Sequence, residues 1–192
     1  MITGVILAGG RATRMGGHDK GLIALNGVPL YQHVLSRLKA QVDEVMISAN
    51  RNQAVYAQSG CRIIGDFDAT FPGPLAGILS GLHASPSEWV VFVPCDVPAL
   101  PFDLVHRLWQ ARGKANAAYA TDGERSHPTL LLINRNLIGP LEDYLHVGNR
   151  KLMLFMEQVG ANAVSFSEQP KAFRNMNSPE DLSNWEDQHR ES

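Results

Sequence analysis

Thr3-Gly4-Val5-Ile6-Leu7-Ala8-Gly9-Gly10-Arg11-Ala12-Thr13-Arg14-Met15-Gly16-Gly17-His18-Asp19-Lys20 passes from a short apolar run directly into a loop of glycines and cations. The apolar part reads as a buried strand over residues 3–8. Gly9, Gly10, Gly16 and Gly17 allow positive φ and close backbone approach, so several N–H groups can converge on one anion. A strand followed by Gly-Gly alone would read as a surface turn. Arg11, Arg14 and Lys20 bring three positive charges into the same ten residues, and that combination reads as a cradle for a polyphosphate. The segment contains neither the Gly-Lys-Ser/Thr of a P-loop nor the Gly-x-Gly-x-x-Gly of a dinucleotide fingerprint.

Outward from this loop, short β-rich runs alternate with amphipathic segments, the pattern of βαβ units around a parallel sheet. Strands are expected at residues 3–8, 45–48, 62–64 and 89–93, and helices at 30–40, 52–59, 75–84 and 103–112. Pro29 suits the first turn of its helix, where a missing N–H has no partner to lose. The pattern changes after Asn116: residues 117–121 and 129–133 flank Asp122-Gly123, a dipeptide that favours a tight reversal, and read as an antiparallel pair. Helices at 137–146 and 151–159 and a strand at 163–166 follow. Ser178-Pro179-Glu180-Asp181-Leu182 carries a cap hydroxyl, a first-turn proline and an acid three residues after the cap, and predicts a terminal helix.

The length and composition fit one globular domain over residues 1–192, with 44% hydrophobic and 19% charged residues, and the alternation makes its class α/β. A formal net charge of -2 supplies no basic excess for gripping a nucleic-acid backbone, although a few concentrated cations suffice for a small anion. Cys61 and Cys95 are too few for a thiolate metal site or a disulfide framework. The start lacks a basic n-region and no apolar run approaches membrane-spanning length, so a cytoplasmic protein without a membrane partner is expected.

The second informative stretch is Trp89-Val90-Val91-Phe92-Val93-Pro94-Cys95-Asp96-Val97-Pro98, a continuous buried strand ending in an acid between prolines. Ligands of open α/β sheets bind beyond the carboxyl ends of the strands, where Asp96 should emerge. Mg²⁺ keeps several waters and takes only one or two protein carboxylates beside substrate phosphates, so a single Asp is chemically sufficient. The bland reading, a cap for the following helix, suits Asp103 better. Cys95 reads as a small buried residue, since no base is identifiable beside it.

The loop, with Leu7-Ala8-Gly9-Gly10 followed by Arg14-Met15-Gly16 and Lys20, resembles the Leu-Ala-Gly-Gly-x-x-x-Arg-Met-Gly-x-x-Lys motif of Rossmann-like nucleotidyltransferases. Within that superfamily the chain is most similar to the molybdenum cofactor guanylyltransferases, over residues 3–185. The resemblance implies a three-layer fold with a mostly parallel sheet and an antiparallel part in the second half. It also implies a nucleotide-binding half at residues 1–100 and an acceptor-binding half at 101–192.

By the same resemblance, Leu7, Ala8, Gly9 and Gly10 wrap the triphosphate of GTP, Arg14 and Lys20 neutralise it, and Asp96 in Pro-Cys-Asp-x-Pro holds Mg²⁺. Ser48 and Asp66, at the ends of the second and third strands with Asn50 nearby, fall at nucleotide-binding positions. A carboxylate at Asp66 suits the two donors of guanine, N1–H and the exocyclic amine; solvated loop ends are the alternative for both residues. By the same resemblance, many relatives have serine at Ala12, some have asparagine at Ser48, and arginine is often found at Lys151. A lysine keeps the charge but loses bidentate phosphate contact.

For the acceptor, molybdenum-molybdopterin, the resemblance points to Gly73, Gly77, Lys151, Asn175 and Asn177. A structural helix start explains the two glycines equally well. Arg125, His127 and Arg150 are further polar candidates near loops, with ordinary surface positions as the alternative. Recipient molybdoenzymes or their chaperones are the implied protein partners. The attacking phosphate would already be anionic, so no general base is required, and no Ser-His-Asp arrangement is visible.

Overall fold

A computed structural model describes residues 1–8, 19–66, 73–176, 181 and 183–184 of the chain. Its centre is β1 (Ile2–Leu7), whose side chains alternate between two apolar layers: Val5 and Leu7 face one, Ile6 and Ala8 the other. β6 (Trp89–Pro94) repeats the alternation, with Val90 and Phe92 opposed to Val91 and Val93. Strands apolar on both faces require a helical layer on each side. The first layer is built on α3 (Pro74–Ala84), α5 (Ile138–His146) and α6 (Leu152–Gln158). The second is built on α1 (Leu30–Leu38), α2 (Gln53–Ala57) and α4 (Leu104–Ala111).

The remaining strands of the main sheet are β4 (Glu44–Ser48), β5 (Arg62–Ile64), β7 (Ala117–Thr121), β8 (Ser126–Asn134) and β9 (Asn162–Ser165). Seven strands lie in the order β5-β4-β1-β6-β8-β7-β9. β5, β4, β1 and β6 are mutually parallel, β8 runs against both β6 and β7, and β9 is parallel to β7. The expected mostly parallel sheet with an antiparallel part in its second half is therefore present. From β1 the chain steps outward to β4 and β5, then returns to lay β6 on the other side of β1. The order reverses between β1 and β6, which opens a crevice at their carboxyl ends.

Most expected elements form within a residue or two of the sequence reading. The Asp122-Gly123 reversal is closed by the Asp122 N–H donating to the Arg125 carbonyl at 3.0 Å, with Gly123 at φ 96°. Three details differ. A small hairpin of β2 (Ala24–Leu25) and β3 (Val28–Pro29) precedes α1, turning at Asn26-Gly27, both at positive φ. Pro29 consequently ends an extended strand (φ -55°, ψ 143°) at the N-cap of α1 instead of lying in its first turn. Asp103 stands at the N-cap of α4 but makes no side-chain cap; its carboxylate pairs with Arg107 at 3.8 Å and accepts from Gln169. Of the expected terminal helix, Asp181, Ser183 and Asn184 are helical, and its cap Ser178 lies outside the described residues.

Candidate active site

The carboxyl ends of the parallel strands form one continuous edge, because the backbone ladder runs past the strands themselves. The Ala8 N–H donates to Ser48 at 2.8 Å, Ala49 to Ile64 at 2.9 Å and Cys95 to Leu7 at 3.1 Å. Leu7, Ala8, Ser48 and Asp96 are thus fixed by main-chain geometry rather than by side-chain packing alone. Asp66 lies two residues beyond β5 on the same edge. Gly9, Gly10, Arg14 and Asn177 fall outside the described residues.

Lys20 opens a single 3-10 turn, Lys20–Leu22, directly after the loop, and its Nζ stands 3.6 Å from Asp96 Oδ2. The two residues singled out for charge neutralisation and metal holding therefore face each other across the crevice. Burial raises the Asp96 carboxyl above its ordinary value, opposed by the charge of Lys20 and by hydrogen bonding. Its main chain is fixed as well, since the Asp96 carbonyl accepts from the Met176 N–H at 2.9 Å. That bond brings exposed Asn175 beside Asp96. Cys95 is buried and its thiol is pushed up by desolvation, which suits a packing residue and not a nucleophile.

Asp66 and Asn50 lock one another. The Asn50 amide donates to Asp66 Oδ2 at 2.7 Å, and the Asp66 N–H donates back to Asn50 Oδ1 at 2.8 Å. One carboxylate edge is thereby tied. Ser48 is buried, its hydroxyl 3.3 Å from the place a Cβ on Gly77 would occupy. Such a Cβ would also lie 2.9 Å from Leu7 Cδ2, so Gly77 is where α3 presses against the strand ends. Gly73, at φ 82°, stands exposed at the N-cap of α3 with open space around it.

The second-half candidates divide. Because β8 is antiparallel to β6, α5 runs back toward the crevice edge, and exposed Lys151 lies there at the N-cap of α6. Arg150 donates to the carbonyls of Leu145 and Asn149 at 2.8 and 2.7 Å, so its guanidinium helps cap α5. His127 pairs with Asp122 at 2.8 Å and stacks on Phe173 at 5.1 Å; these contacts hold the β7–β8 reversal, where Arg125 is exposed. Sequence reasoning passed over Asp19, a buried acid bonded to Tyr56 and Asn52. Its signal was an Asp immediately before the lysine at the start of a turn, a capping position.

A Rossmann-like crevice with a lysine opposite an aspartate at its switch point suits transfer of a nucleotide. Residues 4–161 match the family model described as the MobA-like NTP transferase domain. A molybdenum cofactor guanylyltransferase of Serratia proteamaculans is 58% identical over 96% of this chain and 94% of its own. The chain belongs to the molybdenum cofactor guanylyltransferase family. A further member, from Yersinia pseudotuberculosis, is 55% identical over 98% of this chain and 97% of its own. The fold is shared with a solved structure described as molybdopterin-guanine dinucleotide biosynthesis protein A from Archaeoglobus fulgidus. That structure has a TM-score of 0.81 at 20% identity and covers 99% of this chain and 100% of its own. Among the described residues, no helix of this family member is long and apolar enough to cross a membrane.

Proposed function

We propose that this chain transfers the guanylyl group of GTP to the terminal phosphate of molybdenum-molybdopterin, releasing pyrophosphate, with Mg²⁺ held at Asp96. The observation that carries the reading is the 3.6 Å approach of Lys20 Nζ to Asp96 Oδ2 at the switch-point edge, in a chain sharing 58% identity with a named guanylyltransferase. An acceptor phosphate oxygen forms the new bond to the α-phosphorus, and the bond from that phosphorus to the β-phosphate bridging oxygen breaks. Pyrophosphate leaves with the electron pair, and no proton has to be removed from the nucleophile.

The residues present fit Mg²⁺. Asp96 is a largely buried carboxylate at the edge where phosphates would lie, and among the described residues no group of three or more His, Cys, Asp or Glu could form an all-protein cage. A hard cation at such a site takes its other ligands from water and substrate phosphates, and when bound it neutralises charge on the triphosphate. Lys20 adds a fixed positive charge. The loop amides and Arg14 would supply the rest, and the acceleration comes from positioning and electrostatics. Asp66, held by Asn50, offers its remaining oxygen to guanine donors. Lys151 and Asn175, both exposed, would meet the acceptor along that edge. We place the reaction in the cytoplasm, with recipient molybdoenzymes or their chaperones receiving the product.

Incubating the protein with radiolabelled GTP, molybdenum-molybdopterin and Mg²⁺ should yield a labelled pterin-guanine dinucleotide, and CTP or ATP should yield far less. Equal labelling from CTP, or label appearing without the pterin acceptor, would overturn the reading.

A further inference from the structure

Asp19 is an acid with only 8% of its surface exposed, and the transfer chemistry gives it no task. Its Oδ1 accepts from the Tyr56 hydroxyl at 2.7 Å and from the Gly21 N–H at 3.2 Å. Its Oδ2 accepts from the Asn52 amide at 3.2 Å and lies 4.0 Å from Arg51 Nε. Tyr56 is fully buried and burial pushes its phenol up, so it remains a proton donor at every ordinary pH. The packing is close: a Cβ on Gly21 would sit 2.4 Å from the Tyr56 hydroxyl.

A simple cap for a one-turn helix does not call for this arrangement, because an exposed Ser or Asn caps without the cost of burying a charge. What distinguishes Asp19 is the pair of segments that it joins. On one side it caps the turn that begins with Lys20, the cation opposite Asp96. On the other it holds Arg51 and Asn52, which directly follow Asn50, the partner of Asp66. Asn52 stands in the left-handed region at φ 55°, so its side chain is presented to Asp19 from a constrained backbone.

We infer that Asp19 is a positioning residue that fixes Lys20 for the phosphates and ties it to the Asn50–Asp66 segment, making one rigid unit of charge neutralisation and base recognition. This inference rests on the guanylyl-transfer reading above. Its test is a double-mutant cycle of Asp19→Asn and Lys20→Ala, with kcat and KM for GTP and ATP followed by release of labelled pyrophosphate. If Asp19 acts through Lys20, Asp19→Asn alone lowers kcat/KM for GTP by about ten- to a hundredfold, the scale of a small misplacement of a catalytic group. In the Lys20→Ala background the same change should cost less than about threefold. The link to Asp66 further predicts that Asp19→Asn narrows the preference for GTP over ATP.

Additive losses in the cycle, or an unchanged nucleotide preference, would reduce Asp19 to a fold-stabilising cap and overturn the inference. Should Asp19→Asn not fold, Tyr56→Phe replaces it in the cycle, since it removes one donor and leaves the carboxylate; the same non-additivity is expected and additivity again overturns the idea. A wild-type protein that forms no product with any nucleotide would defeat the transfer reading separately. The four proteins would then be compared by calorimetry with Mg²⁺ and GTP, where coupled affinity losses support the linkage and independent ones remove it.

Discussion

At Asp96, burial outweighs a lysine 3.6 Å away, so the folded chain favours the neutral acid more than the unfolded chain does. A carboxyl raised in the folded state contributes stability fully below its unfolded value near 3.8, and that contribution is lost as pH rises through the folded value. The charged form at neutral pH is therefore a local cost. Asp96→Asn, measured in chelator, should match or exceed the wild-type melting temperature at pH 7, with the advantage shrinking toward pH 4. A lower Tm at pH 7 than at pH 4, relative to wild type, would contradict this balance. Activity moves the other way: Asp96→Ala and Lys20→Ala should each cut turnover by about a hundredfold or more while circular dichroism stays unchanged. Near-normal turnover in either folded variant would remove the assigned role.

Among elements, α3 offers an internal comparison, because two of its glycines lie one turn apart on its sheet-facing side. A Cβ on Gly81 would lie 2.5 Å from Phe92 Cε1, in the middle of the core, whereas one on Gly77 would press on Leu7 and Ser48 at the crevice edge. Gly81→Ala should cost about 1–3 kcal/mol of stability in urea denaturation, since Phe92 is fully buried. Gly77→Ala should lose more GTP affinity than Gly81→Ala when both are assayed well below their unfolding transitions. The β7–β8 reversal carries a different signature. Asp122 is held down to about 2 by His127 and by the Arg125 and Glu124 N–H groups. Its contribution is present above its unfolded value near 3.8 and lost as pH falls through about 2, so amides of the reversal should gain exchange protection between those limits as pH rises.

Element by element, legibility in the sequence followed how strongly a segment repeats its own period. β1 and β6 announce themselves because each carries an unbroken apolar run, Val5 to Ala8 and Trp89 to Val93, which reads as a buried strand, whereas the three layers were given by the family resemblance. The β2–β3 hairpin is only two residues on each side, too short to show alternation, although Asn26-Gly27 marks its turn. Asp103 looked like a cap by its place before α4, but Arg107 one turn later offers its carboxylate a charged partner instead.

Across the whole molecule, the sheet order could be anticipated only in kind. Sequence alternation implies parallel strands, but which side of β1 receives β6 depends on where α3 packs, and that is a tertiary choice. Lys20 and Asp96 were legible as chemistry-bearing residues because each ends a recognisable motif, and their mutual approach follows once β1 and β6 are neighbours. Asp19 was not, since its partners Tyr56 and Asn52 are more than thirty positions away. Hydrogen exchange should be slowest at Val5, Ile6, Val91 and Phe92, in strands flanked on both sides and covered by both layers. Faster exchange there than in β9, an edge strand, would contradict a core centred on β1 and β6.

The amide of Met176 donates to the carbonyl of Asp96, and the Met176 side chain packs with Leu25 and Leu30. The carboxylate proposed to hold the metal thus owes its main-chain anchorage to a donor eighty positions further along, and that donor is itself pinned by the apolar side chains leading into α1, so a disturbance at any of the three would be felt by the other two.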